Sequence, residues 1–147
     1  MVMDLELQIH SGVGEVRFGM PRIRVCELLG DPVRSDDVKD FFIRGLVHVH
    51  YSPIQQAELV VLVAGVGARL GGVDLLSVDA RQAIAAASRL GPVDTTDTEY
   101  PTTATFRTLD LNLWRSALPE ESGDPAHERF EAVGLGAKGY FSRTRST

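Results

Sequence analysis

Two histidines, His48 and His50, stand one residue apart in the extended segment GLVHVHY and are the clearest candidates for chemistry in this sequence. Residues i and i+2 of a β-strand lie on one face, so the two imidazoles would stand about 6.5–7 Å apart. Two histidines at this spacing can bind zinc or another transition metal when a third ligand completes the set. The sequence shows no cluster of further ligands, so we predict no metal site and no cofactor. A third ligand could come only from a distant residue, such as His10, His127 or Asp110.

The same alternation predicts a polar sheet face that could bind a partner. In GLVHVHY the histidines point away from the valines, and in LDLNLWR the residues Asp110, Asn112 and Trp114 point away from the leucines. If helices cover the apolar face, the opposite face of the sheet carries the two histidines together with the polar residues and the tryptophan of LDLNLWR. An exposed tryptophan among polar side chains is typical of an interaction surface, although Trp114 could equally pack beneath the loop at 118–126. The predicted binding face consists of His48, His50, Asp110, Asn112 and Trp114.

No catalytic constellation is visible in the sequence. Cys26 is the only cysteine, and it lies inside a predicted helix, which is typical of a buried, inert thiol. Ser11, Ser77 and Ser88 do not lie in a G-x-S-x-G elbow. The stretch GVGARLGG at 65–72 follows a strand, but its glycine spacing and the lack of a helix directly after it do not fit a dinucleotide loop, so we predict a linker. We therefore predict that the protein is not an enzyme.

Composition and charge limit the classes of function. The chain has 147 residues, enough for one domain, and a formal net charge of −5. A net acidic chain with scattered Lys and Arg residues argues against nonspecific nucleic-acid binding, which needs a basic face. A single cysteine cannot form an internal disulfide. The first residues lack the basic start of a signal peptide, and the longest apolar run, at 59–68, is too short to span a bilayer. We expect a cytoplasmic protein that binds neither nucleic acid nor membrane.

Helix signals occur twice along the chain. The first helix is expected from near Pro21 to Leu29, with Gly30 at the left-handed position after its end. The second helix, in VDARQAIAAASRLGPV, has the stronger signal, because Asp79 and Gln82 match a capping box and alanines follow.

Extended segments follow the two helices in the same order. KDFFIR, GLVHVHY and ELVVLVAG come after the first helix, and TEYPTTATFRT, LDLNLWRS and ERFEAVGLGAKGYF come after the second. LELQI and EVRF precede the first helix, with a turn at 11–14 between them. The matching order favours an internal duplication, with chance similarity of two α+β stretches as the alternative. We predict an α+β fold in one domain, made of two duplicated halves, 1–66 and 67–147, each a short helix packed on antiparallel β-strands.

The segment VRFGMPRIRVCELLGDP at 16–32 resembles a pattern found in two families. It is similar to the helix region of the BamE/SmpA outer-membrane lipoproteins and of β-lactamase inhibitory protein (BLIP). Those proteins place a short helix against an antiparallel sheet, and the inhibitory protein is a tandem duplication of that unit. The resemblance implies a fold and a protein-binding sheet, without a partner or binding residues. Both families are exported, the inhibitory protein has disulfides, and Thr usually stands in them where this chain has Pro21.

These observations favour a non-enzymatic protein-binding module, as in an inhibitor or immunity-type protein. The exposed sheet face would be its binding surface, and its partner would be another protein. One alternative is a protein that binds a small ligand or a metal on the same face. Another is an enzyme of a type that the motifs do not reveal.

Replacing Pro21 by Thr tests the predicted helix start. In the first turn the missing N–H of proline has no helical partner to lose, but proline supplies no side-chain cap, and such a cap is typically worth about 1 kcal/mol. We expect Pro21→Thr to leave the thermal stability unchanged or to raise it slightly. A large loss of stability on thermal melting would contradict this placement.

Overall fold

The computed structural model describes residues 3–145 of the chain, in which helices and β-strands both occur. The strands are β1 (Asp4–Gln8), β2 (Gly12–Val13), β3 (Val16–Arg17), β4 (Arg34–Ser35), β5 (Lys39–Phe42), β6 (Val47–Tyr51), β7 (Ala57–Val63), β8 (Gly67–Leu70), β9 (Val73–Asp74), β10 (Ala104–Phe106), β11 (Leu111–Trp114) and β12 (Ala132–Gly136). The helices are α1 (Arg22–Leu29), α2 (Ala80–Ser88), α3 (Pro119–Ser122) and α4 (Tyr140–Arg145), with a 3-10 helix at Pro125–Glu128. The predicted α+β class is confirmed.

The larger of two sheets has seven strands in the order β10-β11-β12-β7-β6-β5-β4. All of its neighbouring strands are antiparallel. At its centre β7 pairs with β12, so that Val60 lies opposite Leu135 and Leu62 opposite Val133, all four buried. β7 carries apolar residues on both faces, and this composition fits its central position.

The smaller sheet has five strands in the order β3-β2-β1-β8-β9. β8 pairs in parallel with β1, with Gly67 opposite Asp4, which corrects the prediction of a linker at 65–72. A Cβ atom on Gly67 would stand 1.8 Å from Asp4 Oδ1, so glycine is what allows this close approach. The predicted turn at 11–14 is also corrected, because its middle residues form β2.

Both sheets and the two longer helices share one core. α1 contributes the buried Val25, and α2 contributes buried alanines, including Ala83 and Ala87, whose small side chains let the helix approach closely. Leu7 and Val13 of the smaller sheet join the same cluster. In β6 and β11 of the larger sheet the core takes every second residue, and the residues between them lie on the opposite side of the sheet, which we call the outer face.

The two longer helices begin differently. The Asp79 carboxylate accepts the Gln82 N–H at 2.8 Å, and the Gln82 side chain accepts the Asp79 N–H at 3.3 Å, which confirms the predicted capping box of α2. Pro21 is the N-cap of α1, with φ −63° and ψ 147°, one position before the predicted first turn. It provides no side-chain cap, as expected for proline.

The two halves agree in element order but differ in detail. α1 is followed, after the short β4, by β5 to β7, and α2 is followed by β10 to β12. Each sheet combines strands from both halves, because β7 pairs with β12 and β1 pairs with β8. Gly30 ends α1 with φ +90°, as predicted, whereas Gly91 after α2 has no positive φ. The internal duplication stays a prediction.

The C-terminal part differs from the predicted extended segment ERFEAVGLGAKGYF. The last strand ends at Gly136, and residues 140–145 form α4. A Cβ atom on Gly136 would stand 2.6 Å from Tyr140 Cβ, so this glycine makes room for the helix. Residues 146–147 lie outside the described residues. The predicted loop at 118–126 contains α3 and the start of the 3-10 helix.

Replacing Asp79 by Ala tests the capping box. The N–H groups at the start of α2 lose their side-chain acceptor, so we expect the free energy of unfolding in urea to fall by about 1 kcal/mol. Asp31→Ala is the matched control, since Asp31 is exposed and caps no helix. Equal effects of the two substitutions would contradict the prediction.

Candidate functional site

His48 and His50 lie on the outer face, as predicted, across from residues of β7. Both imidazoles are partly buried. The His48 ring meets Phe41 edge-on, with 4.4 Å between ring centroids, and its Nε2 lies 2.8 Å from the Gly45 carbonyl oxygen. Burial lowers the pKa of both histidines below their usual range, so both are neutral at pH 7.

Asn112 and Trp114 also lie on the outer face, but not beside the histidines. β12 and β7 separate β11 from β6, which places the two pairs about 14 Å apart at the usual strand spacing. The ring of Phe141 from α4 lies between them, over Gly134. Trp114 is 45% exposed, so it is not packed beneath the loop at 118–126. The structure therefore divides the predicted face into two separate pairs.

Asp110 does not share the exposed face on which it was predicted. Its backbone has φ +53°, a left-handed conformation, and its side chain is buried. The carboxylate accepts the N–H groups of Gly139 at 2.9 Å and Phe141 at 3.1 Å, at the start of α4. Its Oδ2 also lies 3.2 Å from His10 Nε2. Asp110 thus ties α4 and the β1–β2 turn to β11.

Among the described residues, no third ligand lies beside His48 and His50. Among the candidates for that ligand, His10 contacts Asp110, and His127 lies between two serine hydroxyls. Within the described part of the chain, no group of three or more His, Cys, Asp or Glu side chains is arranged to hold a metal ion.

Arg22, the first residue of α1, forms a buried ion pair with Asp40 of β5. Its Nε and Nη2 donate to the two carboxylate oxygens at 3.1 and 2.7 Å, a bidentate geometry. Asp40 is 1% exposed and also accepts the hydroxyls of Ser35 and Tyr51 at 2.6 and 2.9 Å. Burial raises the pKa of Asp40, but the hydrogen bonds outweigh burial and hold the pKa below its usual range.

The Arg22 guanidinium also donates hydrogen bonds to two turns. It donates to the backbone carbonyls of Asp36 and Asp37, at 2.6 and 3.1 Å, between β4 and β5. It also donates to the side-chain oxygen of Gln55, at 2.8 Å, between β6 and β7. Gln55 in turn donates to the Asp37 carbonyl at 3.2 Å. The start of α1 and both turns therefore meet at one guanidinium.

Three exposed aliphatic residues adjoin the residues of this network in sequence, and we call them the aliphatic patch: Ile23, Val38 and Ile54. Their exposed fractions are 76%, 56% and 73%, and each is next in sequence to a residue of the Arg22 network. No pattern in the sequence indicates the patch, because its members are isolated and far apart along the chain. The one available signal was Ile23, an isoleucine between Arg22 and Arg24 on an otherwise charged helix surface.

Comparison with protein-family models, with curated proteins and with solved structures finds no match to this chain. The likeness of residues 16–32 to the BamE/SmpA and β-lactamase inhibitory protein families therefore stays a prediction. None of the helices among the described residues is long and apolar enough to cross a membrane.

Replacing Asp40 by Asn tests the buried pair. Removing one partner leaves the other charge uncompensated, and because Arg22 is partly exposed we expect a loss of about 2–3 kcal/mol in the free energy of unfolding at neutral pH. Glu27→Gln, in the exposed Arg24–Glu27 pair, is the matched control and should change stability by less than about 0.5 kcal/mol. Similar losses in both variants, measured with urea, would contradict the prediction.

The pair also predicts how stability depends on pH. Because the folded pKa of Asp40 is lowered, its contribution is complete above the unfolded carboxylate pKa of about 3.9 and is lost as the pH falls through the folded pKa. Below about pH 4, the free energy of unfolding of the native protein should decline more steeply than that of Asp40→Asn. If urea titrations show the same pH dependence of the free energy of unfolding for both proteins, the Asp40 carboxylate does not contribute to the pH dependence of stability.

Proposed function

We propose that this protein acts by binding another protein, with the aliphatic patch at the centre of the contact. The observation that carries the proposal is the exposure of Ile23, Val38 and Ile54, each next in sequence to a residue of the Arg22 network. Single exposed aliphatic side chains are ordinary, but a group of them rimmed by polar residues is typical of an interaction site. Binding would remove their apolar area from water, which is worth roughly 25 cal/mol per Å².

The patch stands on backbone that is already ordered. The Asp36 carboxylate accepts the N–H groups of Val38 and Lys39, both at 2.9 Å. The backbone carbonyls of Asp36 and Asp37 are held by Arg22. A surface fixed in this way loses little conformational entropy on binding, so more of the contact energy appears as affinity.

The rim beside Val38 is net acidic. Asp36 and Asp37 are exposed there against one partly buried lysine, Lys39, and the charge of Arg22 is compensated by a buried carboxylate. The whole chain is also net acidic. We infer a partner whose contact surface is apolar at its centre and carries Lys or Arg at its rim. Such a role agrees with the inhibitor or immunity-type function predicted from the sequence.

Substitutions on the two candidate surfaces test the proposal. A protein captured from native extract by the wild-type chain is purified, and its Kd is measured against each folded variant. Ile54→Asp places a charge in the patch and should weaken binding about 30-fold, the effect of a residue worth about 2 kcal/mol. Leu90→Asp is the matched control at a leucine that is 54% exposed outside the patch, and it should leave the Kd unchanged.

Trp114→Ala distinguishes the outer face from the patch in the same measurement. If the patch is the contact, this variant binds like the wild-type chain. Unchanged binding by Ile54→Asp together with weakened binding by Trp114→Ala would overturn the proposed site. The contact would then lie on the sheet face predicted from the sequence.

A further inference from the structure

Three polar side chains between β11 and β12 form a hydrogen-bonded chain. Ser116 Oγ lies 2.9 Å from His127 Nε2, and Ser122 Oγ lies 2.6 Å from His127 Nδ1. Both serines are exposed, and the histidine is partly buried. Nothing in the sequence distinguishes Ser116 or Ser122, because no motif links them to a histidine that lies elsewhere in the loop.

The contact has the geometry of a serine nucleophile and its base. A hydroxyl within about 2.6–3.2 Å of an imidazole, with the imidazole oriented by a third group, is the arrangement that activates serine. When the Nδ1–H of His127 is donated to Ser122 Oγ, the lone pair of Nε2 can accept the Ser116 proton. Ser122 is thus a positioning residue, and it also accepts the Asp124 N–H at 3.1 Å.

Buried and charged groups hold the two reacting residues in place. Arg115 is 7% exposed and donates to the His127 carbonyl at 2.8 Å and to the Pro101 carbonyl at 2.9 Å. The Glu131 carboxylate accepts the Ser116 N–H. These bonds fix the backbone on both sides of the Ser116–His127 contact.

We propose that Ser116 and His127 form an esterase site for small, uncharged esters. Ser116 Oγ attacks the ester carbonyl carbon while its proton passes to His127 Nε2. The tetrahedral adduct collapses, the bond from carbon to the alcohol oxygen breaks, and the alcohol leaves with the proton from Nε2. Water then attacks the acyl-serine by the same route, which releases the carboxylic acid and restores both residues.

A donor for the developing negative charge lies next to the nucleophile. The Ala117 N–H forms no hydrogen bond with another described residue. In α/β-hydrolases the N–H of the residue after the nucleophile is one of the groups that bind the oxyanion. Ala117 occupies this position relative to Ser116 and is the candidate for that role.

The space beside Ser116 suits a small ester. A cleft of about 440 Å³ is bounded by Trp114, Leu118 and the segment 98–103. Its wall is mixed, and the side chains of Trp114 and Leu118 would contact the acyl or alcohol group. The carboxylates of Glu121, which lines the cleft, and Glu131 disfavour an anionic substrate. The site lies near the β10 edge of the larger sheet and the aliphatic patch near the β4 edge, so the two proposals can fail independently.

A fluorophosphonate probe tests the esterase site, because an activated serine hydroxyl displaces its fluoride and forms a stable adduct. Intact-mass analysis of the full chain should show one adduct, and peptide mapping should place it on Ser116. Ser116→Ala should abolish labelling, and His127→Gln should slow it about 100-fold, the low end of general-base contributions. Ser88→Ala, at an exposed serine of α2, should leave the rate unchanged.

A second variant keeps the test valid if His127→Gln loses its thermal unfolding transition. The thiol introduced by Ser116→Cys, beside the imidazole, should react with iodoacetamide at least about tenfold faster than the thiol introduced by Ser88→Cys. An absence of the Ser116 adduct, labelling of folded His127→Gln at the wild-type rate, or equal thiol rates would each overturn the proposal. The three side chains would then only link the two ends of their loop.

Discussion

The carboxylate of Asp40 is buried beneath α1, and this one charge constrains much of the first half of the chain. A buried carboxylate is tolerated only when it is paired and hydrogen-bonded. Arg22 provides the pairing, and it can do so only because α1 begins over β5. The same guanidinium holds the turns on either side of β5 and β6. The start of the helix, two turns and the aliphatic patch above them therefore depend on one ion pair.

A second buried carboxylate, Asp110, has a comparable effect in the second half. It binds the N–H groups at the start of α4 and contacts His10 of the smaller sheet. α4 then lies over the centre of the outer face, where Gly134 and Gly136 provide the room. The small residues at the end of β12 are explained by the helix that they accommodate. Because the chain covers the centre of its own sheet, both proposed sites lie near the sheet edges.

The two proposed sites are supported in the same physical way. In each, exposed side chains stand on turns whose backbone carbonyls are held by an arginine, Arg22 in one and Arg115 in the other. A guanidinium carries five donors in a rigid fork, so one side chain can fix several carbonyls at once. Burial lowers the pKa of Arg115, and within the described residues its hydrogen bonds go to carbonyl groups rather than to a carboxylate. These turns are therefore ordered by hydrogen bonds from an arginine side chain and not by long helices or strands.

The sequence by itself determined the structural features that depend on residues close together along the chain. The capping box of Asp79 follows from a spacing of three residues, and the outward direction of His48 and Asn112 follows from a period of two. Only the tertiary structure decided that β8 pairs with β1, that Asp110 is buried at the start of α4, and that distant residues meet around Arg22 and at Ser116. Contacts between distant residues gain their energy only when the chain has folded, so no periodicity or motif specifies them in advance.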